Sequence, residues 1–319
     1  MLDNESKIKS NILESIVVIC IMSIYIAYGA SYLPLLIFFI PVPFVVLGIR
    51  NGIKSNMVSL LLTLLIVQVL LSSTSGATLL LAFGPLSFVL NYCMKARKTK
   101  VETIIMSTIS FLIPLIVLIL LGGQIANVDI VKEAEMVFNQ YLELQVEALD
   151  SMGLTKFEIF ETTNLLENLY SQILILIPSL IGLFSLFITF VNYNISAYVV
   201  DKMGYGVVAR GSFSRFRLPN NILPGIAFMM LTGFIFRILK INYHEAFLLN
   251  ITFLVSTIFS IQGFAVIDYF LKEKGFKLLL RLLLMIFIFV FIPIGSIILF
   301  LIGVVDSIFD MRKIRRKKS

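Results

Sequence analysis

The stretch ILESIVVICIMSIYIAYGASYLPLLIFFIPVPFVVLG, residues 12–48, carries one charged side chain, Glu14. A helix of ~20 residues crosses the hydrocarbon core of a bilayer, so this run is too long for one crossing. Gly29, Ala30 and Ser31 interrupt it, which predicts two crossings joined by a tight turn. A signal peptide would end at a small-residue cleavage site. Ala27, Gly29 and Ala30 come closest to one here, and a second apolar run follows at once, so the first run is expected to be a retained helix.

The same pattern continues along the chain. After the polar patch Arg50 to Asn56, apolar runs are expected to cross at about 57–71, 77–92 and 103–121, with Ser72 to Gly76 as a turn and Gly122 and Gly123 closing the fifth crossing. Further runs cover about 173–191 (extending towards Tyr198), 222–239 and 246–271. The final run, about 278–308, has Pro293 and Gly295 near its middle. Two helices of ~15 residues would each rise ~22 Å, short of the ~30 Å core. One kinked crossing would instead put Arg312, Lys313, Arg315, Arg316, Lys317 and Lys318 on the outer side, against the positive-inside bias. The hairpin is the smaller violation. The fold class is all-α: a polytopic transmembrane bundle of about 8–10 crossings with both termini cytoplasmic in a bacterial inner membrane.

Composition agrees. The chain is 59% hydrophobic and 14% charged, with mean hydropathy +0.99, whereas soluble domains carry about a quarter charged residues. The net charge of +7 comes from short basic clusters between apolar runs. Such clusters mark cytoplasmic loops and lipid head groups as partners rather than nucleic acid. Cys20 and Cys93 lie in or beside apolar runs and read as buried thiols.

One segment differs. Residues 124–170 hold Asp129, Glu133, Glu135, Glu143, Glu147, Asp150, Glu158, Glu161 and Glu167 against Lys132 and Lys156. Val131, Met136, Phe138, Tyr141, Leu142, Leu144 and Val146 suggest a helix with an imperfect apolar face. Ser151-Met152-Gly153 should break it, and a second helix should start near Thr155 and lead into the sixth crossing. Three regions result: 1–123 with five crossings, 124–170 as an extracytoplasmic helical hairpin, and 171–319 as a C-terminal membrane region with a basic cytoplasmic tail.

Catalytic parts are missing from the sequence. His244 is the single histidine, and no HExxH, GxxxxGK[ST] or GxSxG occurs, so no enzyme, metal or cofactor is expected. His244 itself sits in a short turn, either as a pH-sensitive group or as an ordinary interfacial residue. Glu14, Arg237, Asp268 and Asp306 lie near the ends of crossings. Lys272, at i+4, is the expected partner of Asp268; Arg237 can snorkel and Asp306 is expected to find a lysine partner. Gln68, Asn91, Asn192, Asn194 and Gln262 are placed either to touch a ligand or to join helices by hydrogen bonds. Gly263 beside Gln262 permits close backbone approach. Prolines 41, 43, 114 and 178 should bend helices or free carbonyls.

Gly211-Ser-Phe-Ser-Arg-Phe-Arg-Leu-Pro219, Ile261-Gln-Gly-Phe-Ala-Val266 and Gly303-Val-Val-Asp306 with Arg312 beyond resemble the YybS-like family of bacterial membrane proteins, also called domain of unknown function 2232. The loop Phe213, Phe216, Arg217, Leu218, Pro219 is its most specific element, with Phe216 where the family usually has tryptophan. The family in turn is distantly similar to substrate-binding S components of energy-coupling-factor transporters, and Pro41-Val-Pro43 with Gly48-Ile-Arg-Asn-Gly52 resembles their early part. S components have six helices and a first-helix Ala-x-x-x-Ala pattern, whereas Ala27 and Ala30 here are three apart. The resemblance implies a membrane subunit that binds a small solute and works with a separate coupling subunit and ATPases. On that reading Asn192, Asn194, Gln262 and Gly263 are the candidate substrate-binding residues. The contrasting class is an envelope scaffold or regulator, docking through the acidic hairpin and the basic loops.

Overall fold

In the computed structural model, residues 2–71, 75–125, 130–206, 212–219, 221–290 and 292–314 are described. Residues 72–74 of the expected Ser72 to Gly76 turn, Asp129, Arg210 and Gly211, and the tail from Arg315 to Lys318 lie outside them. The described chain is helical: α1 (Leu2–Ala27), α2 (Pro41–Asn51), α3 (Ile53–Leu71), α4 (Ser75–Lys95), α5 (Lys100–Ile125), α6 (Ile130–Ser151), α7 (Lys156–Lys202), α8 (Ile222–Ile238), α9 (His244–Glu273), α10 (Leu278–Val290) and α11 (Ile292–Phe309). Among the described residues seven spans are long and apolar enough to cross a membrane, and Ile222–Ile238, Leu278–Ile288 and Gly295–Phe309 are shorter apolar helices. The chain is an all-α polytopic bundle. It forms two compact units, one of residues 1–163 with 181–210, the other of residues 164–180 with 211–319.

In the first unit α4 packs on α2, α3 and α5. Phe44, Val45, Leu60, Leu64, Leu86 and Leu90 from α2, α3 and α4 form its densest core. Pro41 and Pro43 do not bend a helix, as expected from the sequence; they occupy the first turn of α2, where a missing N–H costs nothing. The second crossing is therefore composite, a 3-10 turn over Pro34–Phe39 followed by α2. The patch Arg50 to Asn56 is also not a loop. Only Gly52 interrupts it, at φ +103°, a conformation glycine alone adopts without strain. Asn56 is fully buried in α3. Its Nδ2 donates to the Ser87 carbonyl at 3.2 Å, and Ser87 Oγ donates to Asn56 Oδ1 at 3.0 Å. Asn91 Nδ2 donates to the Val45 carbonyl at 3.0 Å. A Cβ at Gly48 would overlap Asn91 and Asn56, so glycine lets α2 lie against both.

α5 continues past Gly122 and Gly123 to Ile125. α6 ends at Ser151, and Gly153, at φ +79°, makes the turn. Thr155 then caps α7 in a reciprocal box, its N–H donating to Glu158 Oε2 at 2.8 Å and its Oγ1 accepting from Glu158 N at 3.3 Å. The hairpin's second helix and the sixth crossing are one rod. At 47 residues α7 spans ~70 Å, more than twice the ~30 Å hydrocarbon core, so part of it must project beyond that core.

The second unit is organised on α9. Its Gly263 and Gly303 of α11 let the two helices approach until a Cβ on either would overlap a carbonyl of the other, Leu299 and Phe259 respectively. Phe259 and Phe300 pack edge to face at 5.8 Å beside them. Residues 278–309 form two helices rather than one kinked rod. Arg281 in α10 pairs with Asp268 of α9, and Asp306 in α11 bonds to Gln262 of α9. Those two α9 positions are six residues apart, ~9 Å along the axis, so the stretch leaves α9 and returns to the same part of it.

Candidate functional site

The three segments that carry the family resemblance converge in the second unit. Asp306 and Arg312 have side chains 1% and 0% exposed and form a two-pronged pair, Nη2 to Oδ2 at 2.7 Å and Nε to Oδ1 at 3.3 Å. Arg312 Nη1 donates to the Ser214 carbonyl at 2.8 Å. Gln262 Nε2 donates to Asp306 Oδ2 at 2.8 Å, and Gln262 Oε1 accepts from the Leu218 N–H at 3.1 Å. The junction thus ties the loop around Phe213–Arg215, a 3-10 turn, to α9 and to the chain just beyond α11. Two expectations are corrected. Asp306 is neutralised by a buried arginine rather than a lysine. Asp268 pairs with Arg281 at 2.6 Å, not with Lys272, which stays exposed while Asp268 is buried.

What the junction can do is positional. A buried pair contributes little beyond an apolar replacement, but removing one partner strands the other at a cost of ~3–5 kcal/mol. It presents Phe213, exposed and stacked on Phe216 at 6.4 Å, on the loop that also carries Ser214, Arg215 and Arg217. His244, which the sequence left open, holds Nδ1 2.9 Å from the Ile241 carbonyl in its own turn.

A second polar feature of this unit had no sequence assignment. Pro178 lies inside α7, and the Asn250 side chain of α9 spans the turn around it. Ser179 N donates to Asn250 Oδ1 at 3.0 Å, and Asn250 Nδ2 donates to the Ile175 carbonyl at 2.7 Å. These are the two backbone groups that one i→i−4 bond would join. Ser179 Oγ adds a contact to Asn250 Oδ1 at 2.6 Å. The signal available in sequence was an asparagine deep in an apolar run with a proline in another. Nothing local pairs them.

The remaining candidates lie in the first unit. Asn192 Nδ2 donates to the carbonyls of Phe38 and Ile188, both at 2.8 Å. Asn194 Nδ2 donates to the Phe190 carbonyl at 2.6 Å, and its Oδ1 accepts from Lys100 Nζ at 3.0 Å. Gln68 Oε1 accepts from the Ala77 N–H at 3.1 Å. Of the four substrate-binding candidates, Gln262 meets the motif loop and Gly263 lies against α11; Asn192 and Asn194 hold helices of the first unit.

Asn192 does belong to a feature the sequence reading missed. Ser185, Thr189, Asn192 and Ser196 repeat every three to four residues on α7 and are fully buried, as are Thr103 and Ser107 on α5. None of their five hydroxyls, nor Asn192 Oδ1, nor the Tyr193 hydroxyl beside them, has a hydrogen-bond partner among the described residues. Two side-chain contacts join α5 to α7, Lys100 to Asn194 and Phe111 6.5 Å from Phe184. Thr103 and Ser107 therefore stand at the level of the polar turns of α7. The recurring Ser/Thr/Asn spacing was the readable signal.

A chain of apolar helices with buried polar junctions and no soluble body is a multi-pass membrane protein. Residues 16–307 match the family described as "Predicted membrane protein (DUF2232)", and the chain belongs to that family. No curated protein and no solved structure matches it.

Proposed function

We propose that this protein binds a small solute within its first unit and acts as the membrane-embedded recognition subunit of a transport system. The observation that carries the reading is the set of buried, unpartnered polar atoms on α5 and α7. A polar atom kept from water without a partner costs ~1–3 kcal/mol, and such groups recur where they serve a ligand. Six membrane segments, α1 to α5 and the later part of α7, lie in this unit together with α6 and the start of α7. That number is the helix count of S components of energy-coupling-factor transporters, which supports the analogy. The chain has no ATP-binding motif, so coupling would come from a transmembrane partner and ATPases in trans. The setting is a bacterial cytoplasmic membrane with both termini inside and the α6–α7 hairpin outside.

Thr189→Val separates this reading from a structural one. The substitution removes a hydroxyl that has no protein partner and keeps the side-chain shape. Stability in detergent should stay level or rise, while solute retained by the purified protein, read by mass spectrometry of denatured extracts, should fall. If wild-type and variant preparations carry no solute, and deletion leaves uptake unchanged, the reading is wrong.

A further inference from the structure

A separate groove on the first unit has no role in that reading. It runs between α1, α2 and the end of α7, encloses about 440 Å³, and is walled by Leu13, Val17, Val46, Leu47, Val199 and Met203. That volume lies in the range of small-molecule sites, ~300–1,000 Å³. Two charged residues line it, Glu14 and Arg50. Arg50 Nη2 donates to Glu14 Oε1 at 2.7 Å, and Asn51 Nδ2 donates to Glu14 Oε2 at 3.2 Å. Both oxygens of Glu14 are thus engaged. Arg50 has a planar fork of five N–H groups, of which Glu14 takes one, and its side chain is 33% exposed.

We propose that this groove is a phospholipid site, with an acyl chain against the valine and leucine wall and the phosphate on the Arg50 guanidinium. The wall asks for hydrocarbon, and α1 and α2 are membrane segments, so the available hydrocarbon is lipid. An acyl chain alone would need no arginine. A guanidinium with free donors matches phosphate in geometry and charge better than any other lipid group. Glu14 holds the fork in place and keeps the site near neutrality, so occupancy does not demand a net anionic lipid. Shared phosphate chemistry, not headgroup charge, is the expected selector.

The experiment uses the full chain, delipidated in detergent and offered phosphatidylglycerol, phosphatidylethanolamine or diacylglycerol, with bound lipid counted by native mass spectrometry. Both phospholipids should be retained and diacylglycerol should not. Arg50→Gln should lower phospholipid retention about tenfold, the order of one charge-assisted contact. Val46→Trp, which fills the groove, should abolish it. Because Arg50→Gln strands Glu14, the double variant Glu14→Gln/Arg50→Gln removes both charges and should show the same loss with the fold intact. Equal retention of diacylglycerol, or wild-type retention by Val46→Trp or by the folded double variant, would overturn the proposal. Solute retention by these variants is read in parallel; lipid loss with solute kept separates this site from the α5–α7 row.

Discussion

Arg312 is a residue whose role depends on burial. In water its pairing with Asp306 would contribute under ~1 kcal/mol; at 0% and 1% side-chain exposure the same pair becomes a constraint, because neither charge can be left alone. Arg312→Leu should therefore destabilise the second unit by ~3–5 kcal/mol. Asp306→Leu with Arg312→Leu should recover most of that loss. Thermal unfolding of the purified chain in one detergent checks both, and a double variant no more stable than the single would contradict the assignment. Neither consequence was visible in sequence. Asp306 was readable as an acid near a helix end, but its burial depends on α9 and on the 212–219 segment. Only the residue types of the motif were legible.

At the scale of the helix, α7 and α11 are held by different devices. α7 carries Pro178, and Asn250 takes up Ser179 N–H and the Ile175 carbonyl. Asn250→Ala should cost ~1–3 kcal/mol, the penalty of unsatisfied buried groups. In a Pro178→Ala background the helix can close its own ladder, so the same asparagine substitution should cost much less; a double-mutant cycle in thermal stability measures the difference. Additive effects would mean that the asparagine and the proline act independently. α11 is held by close packing instead. Gly263→Ala or Gly303→Ala places a methyl on a backbone carbonyl, which cannot rotate away. Each should destabilise α9–α11 packing by ~1–3 kcal/mol, and a cysteine pair introduced across that interface should crosslink less efficiently. Proline and glycine were legible as punctuation in the sequence. Which proline begins a helix, as Pro41 does, and which is bridged, as Pro178 is, depends on the neighbour.

For the molecule as a whole, the path of residues 278–309 bears on where the chain beyond α11 lies. Residues 278–309 leave and rejoin one part of α9, and Arg312 lies on Ser214, so the chain end and the 212–219 loop share a side. With Cys20 and Cys93 replaced by alanine, single cysteines at Ser212 and at Ser319 should react with an impermeant thiol reagent from the same face of sealed vesicles. Labelling from opposite faces would refute the hairpin. The positive-inside count had already favoured this arrangement over a kinked rod. It could not supply the ion pair and amide contacts that hold it.

The sequence by itself determined the membrane class, the approximate spans, the α6–α7 break with a helix start near Thr155, and the motif that identifies the family. Those properties follow from partition between water and hydrocarbon, from helical periodicity and from capping, all of which act over a few residues. Tertiary structure alone decided that Asp268 meets Arg281, that Asp306 meets Arg312 and Gln262, that Asn56 is buried, and that Asn250 spans the turn at Pro178. In a bilayer every helix is apolar, so hydrophobicity cannot choose its neighbour. That choice falls to a few polar groups and glycines, whose partners can lie as far off in sequence as the 98 residues between Ser214 and Arg312 or the 154 between Phe38 and Asn192.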